Sequence, residues 1–234
     1  MRFNGLDIGP LWKTRPRKLN PINNLPDLVK VYVFEGVGLG DGDKGEDQNH
    51  LTAESMRESL GSIRDDYEIT TLDALNGEPT GHSRAALVFV GGDQGHVRYA
   101  APLLEALGLP AHFFIPLDQL GRSGRLELQD LVTLRQYHGI RLELDLSSAP
   151  PLTCRDLAAA LGDGRSVLKA CSGQIPRFVW TSTGSIPRRF RFLLEQFGIA
   201  GVVSSALKDH CRREECLMFR AISPSRRRFS MVGR

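Results

Sequence analysis

The chain has 234 residues, of which 41% are hydrophobic and 24% charged, an ordinary globular composition with enough length for one sizeable core. Its net charge of +3 is too small for a nucleic-acid binder of this size, which would carry a denser basic face. No apolar run reaches the length of a membrane span, and the first ten residues lack the apolar stretch of a secretion signal, so the expected location is cytoplasmic.

The four cysteines, Cys154, Cys171, Cys211 and Cys216, form no disulfide framework and fit a reducing compartment. Basic residues gather at the two ends: Lys13, Arg15, Arg17 and Lys18 near the start, and Arg226, Arg227, Arg228 and Arg234 at the close. They read as solvated termini. Residues 1–25, rich in proline, asparagine and basic side chains, read as an N-terminal arm. Residues 26–206 read as the folded domain, and 207–234 as a C-terminal strand and basic tail.

Within the domain, strand-like and helix-like runs alternate. Residues 29–34 predict a strand, followed by a glycine-rich polar loop over 36–47. Thr52 is placed to cap a helix whose Met56, Leu60 and Ile63 share one face. A short strand is expected over 68–72 and a buried one over 85–90. A helix over 96–107 ends at Gly108, and 111–116 returns as a strand. The unit repeats: helix 126–138, Gly139, then strand 140–146. Thr153 with Asp156 approximates a capping box for a helix reaching about residue 170. Residues 177–180 are strand-like, 187–197 helical up to Gly198, and 199–204 apolar again. Helices closed by glycine and followed at once by strands mark βα units around a parallel sheet. An α/β barrel is the best architecture and an open doubly wound sheet the alternative. No Gly-rich nucleotide-binding loop follows any strand, which weighs against the open form.

Several blocks, in order, resemble the polysaccharide deacetylase (NodB-homology, carbohydrate esterase family 4-like) family. Ala85-Ala-Leu-Val-Phe89 and Tyr99-Ala-Ala-Pro-Leu-Leu-Glu-Ala-Leu-Gly-Leu-Pro-Ala-His-Phe-Phe-Ile115 are similar to its first strand and helix. Leu128-Gln-Asp-Leu-Val-Thr-Leu-Arg-Gln-Tyr-His-Gly139, continued to Thr153, fits its histidine block without a gap. Phe178-Val-Trp-Thr-Ser-Thr-Gly-Ser-Ile-Pro187 stands where the family has Phe-Ala-Tyr-Pro-Tyr-Gly, and Phe197-Gly-Ile-Ala-Gly-Val-Val203 resembles its closing segment. Upstream, Val33-Phe-Glu-Gly-Val-Gly38 occupies the place of a Tyr-His-Arg element, and Asp66-Tyr-Glu-Ile-Thr-Thr-Leu-Asp73 matches a further stretch. The resemblance covers about residues 26–205 and implies a distorted (β/α) barrel of the NodB type.

It also implies a chemistry. Family enzymes hold a divalent metal with one Asp and two His, polarise an acetamide carbonyl and activate water beside an Asp base. In this chain the base position is Val90, the metal-Asp position Gly91, and the two His positions Asp145 and Ala149. The Tyr-Pro-Tyr-Gly element is replaced by Trp180-Thr-Ser-Thr183, and the upstream His by Glu35. The resemblance therefore implies a carbohydrate deacetylase fold whose metal site is lost: a pseudoenzyme with no cofactor, binding a carbohydrate, a glycoconjugate or a protein of polysaccharide assembly. The alternative is an active deacetylase with a rearranged site, in which Asp93, His96 and Asp145 hold Zn²⁺ or another divalent metal and Asp93 and Asp145 serve catalysis. Asp93 also suits a helix cap, and His96 a surface position in the first helical turn. Glu35, Trp180, Thr181 and Ser182 are the candidate sugar-binding residues, an aromatic platform beside hydroxyls and a carboxylate. A buried tryptophan in the barrel wall is the plainer reading of Trp180. His112 reads as a core histidine, and His138 as a helix C-terminal residue favoured by the dipole. His210, Cys211 and Cys216 lack the partner spacing of a zinc site.

Overall fold

The apolar runs become the staves of a barrel. The computed structural model describes residues 2–3, 6–7, 29–38, 50–75, 82–147, 153–183, 190–207, 211–213 and 216–224. Seven strands form the ring: β1 (Val29–Phe34), β2 (Arg84–Phe89), β3 (Ala111–Ile115), β4 (Ile140–Asp145), β5 (Phe178–Trp180), β6 (Gly201–Ser204) and β7 (Cys216–Ile222). Each pairs in parallel with the next, and β7 pairs in parallel with both β6 and β1, which closes the circle. The open doubly wound sheet is thereby excluded. Residues 207–234, set apart from the domain on sequence grounds, supply the seventh stave, so the barrel extends past residue 206.

Helices cover the outside, α1 (Ala53–Asp66), α3 (Ala101–Leu107), α4 (Leu128–Leu134), α5 (Cys154–Ser172) and α6 (Arg191–Gln196), while the short α2 (Leu72–Leu75) packs Leu72 and Leu75 against the interior layer. Their ends follow local chemistry. Thr52 Oγ1 accepts from the Ser55 amide at 3.1 Å, opening α1. Thr153 and Asp156 form the expected reciprocal capping box at the start of α5, with bonds of 3.1 and 2.9 Å. The predicted helix over 126–138 shortens to Leu128–Leu134 because the Gln136 and Tyr137 amides turn back to Thr133 and Leu134, three residues earlier. The strand expected over 68–72 is reduced to Glu68–Ile69, since the Leu72 amide bonds the His112 ring and the chain turns into α2.

Alternation along the staves sorts side chains into two apolar layers. Val31, Val33, Ala86, Val88, Phe114 and Phe178 fill the barrel interior. Tyr32, Phe34, Leu87, Phe89 and Phe113 face outward onto Met56, Leu60, Leu104 and Leu131 of the helices. Strand register puts Phe34 beside Phe89, and Phe89 beside Phe113. The three rings stack at centroid separations of 4.9 and 4.7 Å with planes 13° and 11° apart. Such pairs add about 0.5–1.5 kcal/mol each beyond burial. This ladder lies just under the barrel mouth and sets the level at which the polar residues begin.

Candidate functional site

The carboxyl ends of parallel barrel strands form one open face, where this architecture carries its chemistry. Here that face is built from Glu35 after β1, Val90 to Asp93 after β2, Asp118 after β3, Asp145 to Ser147 at the end of β4, and Thr181 to Thr183 after β5.

Gly91 is the hinge of the face. It has φ of +83°, a conformation that favours glycine, and its amide and carbonyl serve two different side chains. The amide donates to Asp145 Oδ2 at 3.2 Å. The carbonyl accepts from Arg125 Nη1 at 2.8 Å. Asp145 Oδ1 accepts from the Ser147 amide at 2.8 Å and also from the Ser147 hydroxyl. The carboxyl group is 5% exposed, and burial pushes its pKa up against the lowering effect of these donors.

The other two residues of the rearranged-metal reading lie elsewhere. Asp93 Oδ1 accepts from the Gly95 amide at 2.9 Å, closing a tight turn before the helix. Gly95 is required there by proximity, because a Cβ would stand 1.7 Å from the Val37 carbonyl oxygen. His96 is 1% exposed and opens a π-helical turn, His96–Ala100, that runs into α3. Its ring sits edge-on to Phe89 and Phe113, at 5.4 and 5.7 Å, on the outer side of the barrel wall. Its Nε2 lies 3.1 Å from the Glu35 carbonyl oxygen, which can only accept, so Nε2 carries a proton. His96 is therefore packed edge-on against the phenylalanine ladder, not a surface residue. Among the described residues, no three His, Cys, Asp or Glu side chains converge on a point able to hold a metal. The structure does not bring Asp93, His96 and Asp145 together. The metal of the resembled family does not fit: Val90 and Gly91 offer no ligand atoms, and both Asp145 oxygens are held by protein donors. Ala149 lies outside the described residues, as do His210 and Gly184 to Pro187.

The expected sugar platform is also corrected. Trp180 faces the interior, tilted against Phe114 at 6.2 Å, with 5% of its surface exposed. Its ring belongs to the core. Thr181 is likewise buried and its hydroxyl pairs with that of Thr183 at 2.9 Å. Ser182, Thr183 and Glu35 are exposed on the rim, and Arg125 is half-buried beside them.

Sequence reasoning missed Glu143. It points inward from β4, 3% exposed, and gathers three donors: His112 Nδ1 at 3.0 Å and the amides of Arg177 and Phe178 at 2.7 and 2.9 Å. His112 Nε2 accepts from the Leu72 amide at 3.0 Å, which places the ring proton on Nδ1. The core reading of His112 holds. The signal for Glu143 was present in the strict alternation of Ile140-Arg-Leu-Glu-Leu-Asp145, which sets Glu143 on the same face as Asp145. His138, at the end of the α4 region, is exposed and pairs with Glu105 at 3.0 Å, which lowers the Glu105 pKa chiefly through that hydrogen bond.

No protein-family model matches the sequence, and no curated protein matches it. Solved structures do. IcaB from Ammonifex degensii superposes with a TM-score of 0.68 at 16% identity, covering 85% of this chain and 93% of that one. The deacetylase PplD of Streptococcus pyogenes gives 0.66 at 13% identity, over 86% and 96% of the two chains. A de-N-acetylase from Aggregatibacter actinomycetemcomitans gives 0.65 at 14%, over 84% and 95%. The fold is that of polysaccharide deacetylases, a distorted (β/α) barrel closed by seven parallel strands.

Proposed function

We propose that this chain is a degenerate polysaccharide deacetylase, a pseudoenzyme that has given up metal-dependent N-deacetylation and uses its barrel mouth to bind a carbohydrate or glycoconjugate. The fold and two of its solved neighbours, named as a deacetylase and a de-N-acetylase, support the family assignment and the ligand class. The observation that carries the loss of chemistry is Asp145. It is the one carboxylate standing at a resembled metal-ligand position, and its two oxygens are engaged by Gly91 and Ser147. A metal bound by fewer than three protein ligands would be weakly held and poorly placed. Sugar contact would fall on the exposed rim of Glu35, Ser182 and Thr183, with Trp180 and Thr181 shaping the floor from within. No metal or other cofactor is required for this role. A cytoplasmic location belongs to the same proposal, supported by the free thiols of Cys154 and Cys171. No helix among the described residues is long and apolar enough to cross a membrane.

The test has two arms. N-acetylated oligosaccharides incubated with the protein plus Zn²⁺, Co²⁺ or Mn²⁺ should release no acetate, and amide chemical shifts of rim residues should move on sugar titration. Stoichiometric metal together with acetate release that disappears in Asp145→Ala would establish an enzyme instead. Rim shifts absent with every glycan would leave the fold serving protein contacts alone.

A further inference from the structure

A Cβ built on Gly91 would stand 3.4 Å from Arg125 Nη1. The guanidinium of Arg125 thus fills the space into which any side chain at position 91 would project. Its one side-chain hydrogen bond is to the Gly91 carbonyl, and it forms no ion pair among the described residues. Neighbouring acids are engaged: Glu35, Asp93 and Asp118 each have partners, and Asp145 is held by Gly91 and Ser147. Arg125 itself is steered by the backbone. An isolated antiparallel bridge ties Asp93 to Arg125, and the Leu126 amide bonds the Gly92 carbonyl at 2.8 Å. The arginine is therefore fixed at the rim with four of its five N–H donors uncommitted among the described residues, in a half-buried setting where a charged donor is costly to leave unmatched.

We propose that Arg125 is the recognition residue of an anion-binding subsite at the barrel mouth, taking an oxyanion carried by a sugar, a carboxylate of the uronate type or a phosphate. The proposal rests on the carbohydrate-binding reading above and refines it: a fixed organic cation stands beside Gly91, and the ligand it selects is acidic. Guanidinium presents a planar fork that matches both oxyanions, with charge-assisted bonds about twice as strong as neutral ones.

Three ligands titrated into the full chain and followed by amide chemical shifts and calorimetry decide it: a galacturonate trimer, a hexose 1-phosphate and neutral chitotriose. The acidic sugar should bind at least about tenfold more tightly than the neutral one, and the preference should disappear in Arg125→Leu and weaken in Arg125→Lys. Whichever acidic ligand binds identifies the source of the oxyanion. Raising the salt concentration on the unmodified protein should reduce the preference, which keeps the test independent of whether Arg125→Leu folds. Equal binding of acidic and neutral sugars, or no change in Arg125→Lys and with salt, overturns the anion subsite and leaves the carbohydrate reading standing. Binding of neither class overturns both.

Discussion

Replacing Glu143 by leucine removes the acceptor of three donors at once: the buried His112 Nδ1 and Phe178 amide, at 3.0 and 2.9 Å, and the part-buried Arg177 amide at 2.7 Å. An unsatisfied buried donor costs about 1–3 kcal/mol, so the two buried ones give about 2–6 kcal/mol before any offset. Leucine returns part of this, because no carboxylate then has to leave water and the neutral His112 ring is left without a buried charge; the expected net loss is about 3–4 kcal/mol, the cost of the stranded donors. A loss of that size is a large share of the stability of a domain, about 5–15 kcal/mol. In urea, with a slope near 3 kcal/mol/M, the midpoint should fall by about 1–1.3 M at unchanged slope. Glu143→Gln keeps one acceptor oxygen and should lose less. A midpoint for Glu143→Leu within about 0.3 M of the parent would refute the reasoning, since it would mean that the donors find other partners or are not buried.

Gly95→Ala puts a methyl group 1.7 Å from the Val37 carbonyl oxygen and 2.8 Å from Asp93 Oδ1, and should cost about 3 kcal/mol or more in thermal or urea denaturation. Gly164→Ala, whose Cβ would stand 2.5 and 2.9 Å from the two methyl carbons of the buried Leu144, should cost about 1–3 kcal/mol because a core side chain has to move. Asp145 titrates above its ordinary value of 3.8 in the folded state through burial, so the native protein keeps this proton where the unfolded chain has lost it. Stability from this group is then highest below 3.8, falls as pH rises through the native value and is level above it. The difference in stability between the parent and Asp145→Asn, measured across pH, should show that falling limb; a flat difference curve would count against the buried placement.

The sequence carried much of this architecture in plain form. Thr52, the Thr153–Asp156 box, Gly108 and Gly198 mark element ends through local hydrogen bonds or positive φ, and such signals need no tertiary context. The closure was harder to read, because Cys216–Ile222 lies beyond the last block with any resemblance and is a stave only by pairing with strands far away in the chain. The candidate site was legible as an absence, Val90 and Gly91 where acids were expected. What fills the gap was not legible: Arg125 lies 34 residues from Gly91, and no periodicity or motif connects them. His96 was misplaced for a similar reason. An Asp-x-x-His spacing looks like a ligand pair, while the aromatic ladder that claims the ring is assembled from three strands.

The seventh stave has a bearing on how the chain reaches its fold. Because β7 bonds to both β6 and β1, the first and sixth strands carry unpaired edges until Cys216–Ile222 is in place. During synthesis, where folding proceeds from the N-terminus, six strands would wait as an open sheet with two sticky margins. A chain interrupted before Cys216 would keep those margins permanently, which makes Cys216–Ile222 a completion segment whose loss should send nascent product to aggregation or degradation.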